Sequence, residues 1–383
     1  MSGTGSITGQ PAGARSGRAP RKRWSRGRKV WVGVVAGVAV IALVAGIAVA
    51  VMVVKVNTYV DPWAQKVVDA GYEHKRAQVG DVDFSYVEGP DNGTPLVLLH
   101  AQLMDWFDYS RVMPALAENY HVFVVDYQGH GTTTYPADYE MTANRIGADL
   151  GAFIEQVVGE PAFVSGNSSG GLLTMWLAAN RPDVVKAVVL EDPPIFASEY
   201  PRIKETVAIK AFASSHAAVI DPDYDGDFLK FWLDENKAFF NKYVFPGSAT
   251  AISWLVDSYR SANPGEPTEI AVIPNETVKL LFRGLEEYDP RFGDAFYEGT
   301  WNEGFDHAEA LAKIEVPVLL MHANFSWTED GLLDGAIDQD DADKVMSLLS
   351  HGTYVKVDSE HVVHLEHPDD FVSILDGFFG SRG

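Results

Sequence analysis

The sequence predicts an α/β protein: a mostly parallel sheet with helices on both faces, a helical cap inserted over one sheet edge, and one transmembrane helix ahead of it. Three features of the 383 residues carry that prediction. Short apolar runs alternate with helical stretches, the pattern of a parallel sheet wound with helices. The alternation breaks once, over an aromatic-rich, strand-poor stretch from about 195 to 309. Ahead of it all, Val30 to Val54 form an unbroken apolar run of 25 residues without a charge.

Taken in order, residues 1–29 are rich in Gly, Ser, Pro and Arg and carry eight basic and no acidic residues. The run at 30–54 is long enough, at about 1.5 Å per residue, to span a hydrocarbon layer with some tilt. The basic cluster before it is expected to stay cytoplasmic, which makes the chain single-pass, anchored in the cell membrane, with its bulk outside. Ala48-Val49-Ala50 resembles a signal-peptide cleavage site, but the apolar run continues past it and exceeds an ordinary signal core. Residues 55–71 read as a connector to a folded domain at 72–383.

Beyond residue 29 the chain holds 22 basic against 53 acidic residues. Such a body repels nucleic acid, which is excluded as a partner. The absence of cysteine removes disulfides, thiolate metal sites and a cysteine nucleophile.

Residues 82–88 alternate at period two, like an antiparallel strand. Residues 96–100, 122–126, 163–165, 187–190 and 316–321 read as buried strands, with helices expected near 108–119, 142–158 and 169–181. The insertion at about 195–309 is too long for a structureless loop, so it is expected to be a helical cap over the carboxyl edge of the sheet. A helix at 340–350, a strand at 354–357 and a helix at about 367–380 close the chain. Asp221-Pro222-Asp223-Tyr224-Asp225-Gly226 begins like a calcium loop, but its twelfth position is Trp232, where that site needs a carboxylate. No metal and no cofactor is expected.

The chemistry-bearing stretch is Gly166-Asn167-Ser168-Ser169-Gly170. It lies between an apolar run and a helical pattern and fits G-x-S-x-G, the turn that lifts a nucleophilic serine above a sheet edge. There the N–H of Ser169, opening the helix, faces a developing oxyanion. A serine nucleophile needs a base and a group to orient it. Three histidines follow the last strand: His361 comes first, while His364 and His367 stand at the mouth of the next helix.

From about Gln78 onward these motifs resemble the α/β-hydrolase fold superfamily, of the capped kind. The resemblance rests on His100-Ala101-Gln102, on Asp126-Tyr127-Gln128-Gly129-His130-Gly131, on the turn at Ser168, and on Glu360-His361-Val362-Val363-His364-Leu365-Glu366-His367-Pro368. It implies Ser168 as nucleophile, His361 as general base, and the N–H groups of Gln102 and Ser169 as oxyanion donors. Asp126 and His130 match a structural loop of the family. Two departures stand out. Ala101 replaces the usual glycine, and His322-Ala323-Asn324-Phe325-Ser326 lacks the carboxylate the family places after its penultimate strand.

Asp192, at the end of the strand 187–190, is the favoured replacement because a strand end holds a carboxylate more rigidly than a loop beside Gly331. Asp330 and Glu329 are the alternatives, and a degenerate triad is the third. The resemblance thus implies a membrane-anchored serine hydrolase acting on a small to medium apolar ester, lactone or related acyl substrate. The competing expectation is a non-catalytic hydrolase fold serving as a cell-surface binding module.

Overall fold

The computed structural model describes residues 1–6 and 26–380. Most of the expected cytoplasmic tail, residues 7–25, lies outside the described residues. Two compact units are present, Met1–Met52 and Val53–Gly383. Helix α1 (Arg26–Asn57) is, among the described residues, the one helix long and apolar enough to cross a membrane.

In the larger unit, the stretch expected as a connector contains a helix, α2 (Pro62–Asp69), started by Pro62 and capped by Asp61, whose carboxylate accepts from the Trp63 N–H at 2.9 Å. Then come β1 (Glu73–Val79), β2 (Val82–Glu88) and β3 (Thr94–Leu99). The helix expected at 108–119 is instead a 3-10 turn, Trp106–Arg111, followed by the single-turn α3 (Met113–Leu116). Asp105 starts the 3-10 turn by accepting from the Phe107 N–H, and Pro114 lies at the first turn of α3, where its missing N–H does no harm. Next are β4 (Tyr120–Asp126), α4 (Ala143–Phe153) with a π turn at 154–158, β5 (Ala162–Asn167), α5 (Ser169–Asn180) and β6 (Val185–Glu191).

The insertion is helical, as expected. After a 3-10 turn at Arg202–Glu205 it holds α6 (Ala208–Ile220), α7 (Phe228–Glu235), α8 (Lys237–Tyr243), α9 (Ser248–Ala262), α10 (Glu276–Leu285), α11 (Pro290–Glu298) and α12 (His307–Lys313). The chain ends with β7 (Val318–His322), a two-residue ribbon of β8 (Ser326–Trp327) and β9 (Leu333–Asp334), α13 (Gln339–Leu348), β10 (Gly352–Lys356), α14 (Val363–Glu366) and α15 (Pro368–Phe379).

The main sheet has eight strands in the order β1-β2-β4-β3-β5-β6-β7-β10. All pairs from β4 to β10 are parallel, and β1 and β2 are antiparallel at one edge. Leu96, Leu98, Phe163 and Val189 pack on Phe371, Leu375 and Phe379 of α15. Because strand side chains alternate, Val97, Leu99, Val188 and Leu190 face the other way, where α5 lies against β3, β5 and β6. Each such buried side chain contributes about 1.5–3 kcal/mol. In register, Leu99 pairs with Gly166, Asn167 with Glu191 and Glu191 with Met321. This brings the carboxyl ends of β3, β5, β6 and β7 to one edge.

Arg260 on α9 binds Asp227, the cap residue of α7, and Glu286 just after α10. Arg283 on α10 pairs with Asp105 at 2.8 Å and with Glu269 at 3.1 Å. One arginine thus ties three helices of the insertion together, and another ties the insertion to the loop after β3.

Candidate active site

Ser168 sits between β5 and α5 with φ 57° and ψ −119°. Such a backbone costs about 1–3 kcal/mol in a residue with a side chain. The surroundings hold it there: its N–H donates to the Glu191 carbonyl at 3.0 Å, and its carbonyl accepts from Leu172 N–H at 3.1 Å. The flanking glycines follow from close approach. A Cβ at Gly166 would lie 2.2 Å from the Gly170 carbonyl oxygen, and one at Gly170 2.2 Å from that of Leu99.

Ser168 and His361 both line a cavity of about 650 Å³. His361 stands in the loop after β10 and is joined through Nδ1 to Asp192 Oδ2 at 2.7 Å. The imidazole is 40% accessible because the cavity opens onto it, whereas the Asp192 carboxylate is almost fully buried. The other Asp192 oxygen accepts from the Ala323 N–H at 3.0 Å, and the Asp192 N–H donates to Met321. With φ 44°, Asp192 also has an unusual backbone, one that turns its side chain from the β6 end toward the histidine. Asp330 and Glu329 are exposed in the turn between β8 and β9; among the described residues neither bonds His361. Asn324, in the loop where the family's acid was sought, donates to Asp358 at 2.9 Å.

Burial opposes a charged His361, but the Asp192 hydrogen bond and charge outweigh it, with Glu191 and Asp108 adding to them, so its pKa lies above the ordinary histidine value.

The loop after β3 brings Gln102 to the cavity wall. Its side chain donates to Tyr288 Oη at 2.9 Å, while its backbone N–H has no hydrogen-bond partner among the described residues. The next residue, Leu103, has φ 66° and donates its N–H to His130 Nε2 at 3.3 Å. Helix α10 presses on this loop so closely that a Cβ at Gly284 would meet the Leu103 carbonyl at 2.1 Å. Ser169 supplies the first N–H of α5, a position with no partner inside the helix, and its hydroxyl pairs with Tyr127 Oη at 2.8 Å. Asp126, read from the sequence as structural, lies below, accepting from Trp106 N–H and Ser85 Oγ.

A second histidine beyond β10 is held apart from the cavity. His364, weighed in the sequence as a rival base, is completely buried and stacked on Tyr109 at 3.9 Å. Its Nδ1 and its backbone N–H both lie 2.9 Å from Glu191 Oε1, and its Nε2 lies 3.3 Å from Asp108. Burial opposes its charge, yet Glu191 and Asp108 prevail and push its pKa up to about 10. Asn167 completes the link: its side-chain amide donates to the carbonyls of Glu191 and His361 at 3.1 and 3.0 Å. The only sequence hint is the adjacency of Glu191 to Asp192 and the spacing of three residues between His361 and His364.

Among the described residues, one group of three side chains is close enough to share a metal ion: His216, Asp294 and Glu298, on α6 and α11. None lines the cavity, and His216 Nδ1 already bonds Asp294 at 2.8 Å. Asp221 and Asp225 of the calcium-like stretch instead accept from backbone N–H groups two residues on.

This sheet and this edge are matched by a family model, the alpha/beta hydrolase family, over residues 96–374. The chain belongs to that family. A 30 kDa magnesium-chelatase subunit of Rhodobacter capsulatus is 31% identical to this hydrolase over 108 residues, 28% of this chain and 38% of that one. The chain spans 38% and 41% of the first curated relatives it matches. Pyrrolizixenacetamide deacetylase of Xenorhabdus hominickii is 22% identical over 314 residues, 80% of this chain and 98% of that protein. Among solved structures, a putative lipase from Acinetobacter baumannii AYE superposes with a TM-score of 0.58 at 20% identity, covering 84% of this hydrolase and 95% of the lipase.

Proposed function

We propose that this alpha/beta hydrolase is a membrane-anchored serine hydrolase that cleaves a small to medium apolar ester, lactone or related acyl substrate. The observation that carries the reading is the strained Ser168 opening onto the same cavity as an imidazole bonded to a buried carboxylate. Ser168 Oγ attacks the acyl carbonyl and passes its proton to His361 Nε2. Asp192 holds the opposite Nδ1–H and stabilises the imidazolium. The N–H groups of Gln102 and Ser169 receive the oxyanion. His361 returns the proton to the departing alkoxide, leaving an acyl-enzyme. Water then attacks the acyl-enzyme and gives its proton to His361, which passes it to Ser168 Oγ as the acid departs. The cavity falls in the usual range for small-molecule sites, and Met104, Ile203, Val207, Phe212 and Val278 on its wall suit an apolar acyl group. Anchoring is supported by the length and composition of α1.

The test is hydrolysis of a p-nitrophenyl ester series from acetyl to palmitoyl, with the full chain in nanodiscs. Ser168→Ala is expected to lower kcat by roughly 10⁶, the scale seen when a triad nucleophile is removed, and to abolish labelling by a fluorophosphonate. Equal turnover in parent and variant, with no labelling of the parent, would exclude the mechanism and favour a binding module.

A further inference from the structure

On the reading that this is a membrane-anchored hydrolase, we propose that the α8–α9 hairpin of the cap rests on the lipid bilayer, and that the substrate is an acyl ester carried in that bilayer. Phe239, Tyr243, Val244, Phe245 and Trp254 all lie within this hairpin, and each is 48% exposed or more. Aromatic side chains with a polar tip favour the membrane interface, where one end is apolar and the other wet.

Charge changes sign in the same place. In a chain with 53 acidic residues, the stretch from Lys237 to Val256 has none, and it holds Lys237 and Lys242. Lys242 extends over the Tyr243 ring at 4.7 Å and bonds its hydroxyl at 2.9 Å. A basic and aromatic surface on an otherwise acidic body suits the headgroup layer rather than bulk water.

The third observation fixes the occupant as a membrane. Asn57, near the start of the larger unit, is bound to the helical insertion. The Asn57 amide donates to Ser258 Oγ at 3.0 Å, and Asn263 donates to the Asn57 carbonyl at 3.1 Å. Further along, the Asp61 N–H donates to Glu269 at 3.1 Å. Ser258 is four residues from Trp254 on α9, so the two share a helix face. The chain therefore enters the folded unit one helical turn from the exposed tryptophan. The same cap roofs the catalytic cavity, to which α6 gives Phe212 and α10 gives Val278. A cap seated on lipid offers that cavity substrates that partition into the bilayer.

The sequence has no cysteine, so a single introduced thiol labels uniquely. Phe245→Cys and Glu118→Cys, the second exposed at the opposite sheet edge just before β4, are to be labelled with the fluorophore NBD in full-length protein in phosphatidylcholine nanodiscs. A nitroxide high on the lipid acyl chain is expected to quench the label at 245 by roughly half or more, since interfacial faces sit about 5–10 Å into the headgroup boundary. The label at 118 is expected to be unaffected. Equal responses at the two sites would overturn the proposal, because they describe a body that tumbles on its anchor.

A second arm reads the substrate. Phe239→Ser/Phe245→Ser/Trp254→Ser is expected to slow turnover of a long-chain ester dissolved in the nanodisc severalfold and to leave a water-soluble short-chain ester unchanged. Equal loss on both esters, or on neither, would overturn the claim on substrate. A parent protein inactive on every ester would remove the hydrolase reading, while the quenching arm still decides the surface.

Discussion

The His361 imidazole is held between opposing influences, and the balance is measurable. Burial disfavours its charge, while the bond to Asp192 and the charges of Asp192, Glu191 and Asp108 favour it. Its folded pKa is therefore raised, and in the proposed mechanism it must be neutral to accept a proton. The acidic limb of kcat/KM for ester hydrolysis is expected above pH 6.5, the ordinary histidine value. Asp192→Asn should lower kcat by roughly 10⁴, as removal of a triad carboxylate does, and shift that limb downward. Asp330→Asn should change neither. An Asp192 variant with parental kcat and pH profile would remove this carboxylate from the mechanism. Ser168 and His361 were legible in the sequence because each leaves a local signature: small residues around a strained turn, and a histidine after the last strand. Asp192 was only partly legible, since its contact with His361 spans 169 positions and many carboxylates compete for such a role.

Elements that bury an apolar face announced themselves, and those that do not stayed hidden. The central strands β3 to β7 were visible as apolar runs. In contrast, β1 reads Glu-His-Lys-Arg-Ala-Gln-Val and is largely exposed at the sheet edge, so it has no period-two apolar pattern. The β8–β9 ribbon is two residues on each side, too short for any periodicity. The link between β6 and α14 was equally invisible, because it joins charged residues across the core. Glu191 anchors His364 by its carboxylate and Ser168 by its carbonyl, so it couples the Ser168 turn to the loop that carries His361. Glu191→Gln leaves a buried cation with only Asp108 nearby, a change that typically destabilises by about 3–5 kcal/mol. Urea unfolding should show that loss, and Glu191→Gln/His364→Gln should regain much of it by removing the stranded charge. If the double variant is no more stable than the single one, the buried pair is not charged.

The balance of buried titrating groups sets how the whole molecule responds to pH. The His364 pKa is raised to about 10 when folded, so its contribution to stability is fully present below about pH 6.5 and is lost as pH climbs toward 10. Asp126 acts in the same direction. Burial, reinforced by Asp105, overrides the hydrogen bonds from Trp106 and Ser85 and raises its pKa to about 8. Its contribution is present below about pH 4 and is lost as pH rises through 8. Fully buried tyrosines such as Tyr109 and Tyr127, their pKa values raised first by burial, extend the trend beyond pH 10. Asp227 opposes it, because Arg260 and the Lys230 N–H outweigh burial and lower its pKa, but that window closes below about pH 4. The formal net charge of −23 adds self-repulsion that also grows with pH. The unfolding free energy of the full chain is therefore expected to fall from pH 8 to pH 10; nearer pH 6 it is opposed by His100, His130 and His307, whose pKa values burial lowers, so that they gain protons on unfolding. Linkage limits each group's share of the slope to about 1.4 kcal/mol per pH unit. Replacing His364 with Gln should flatten the curve between pH 8 and 10, and replacing Asp126 with Asn should change its slope only below pH 8. Urea titrations of the three proteins at each pH read this directly: parallel curves would mean that neither group titrates differently in the folded and unfolded chain.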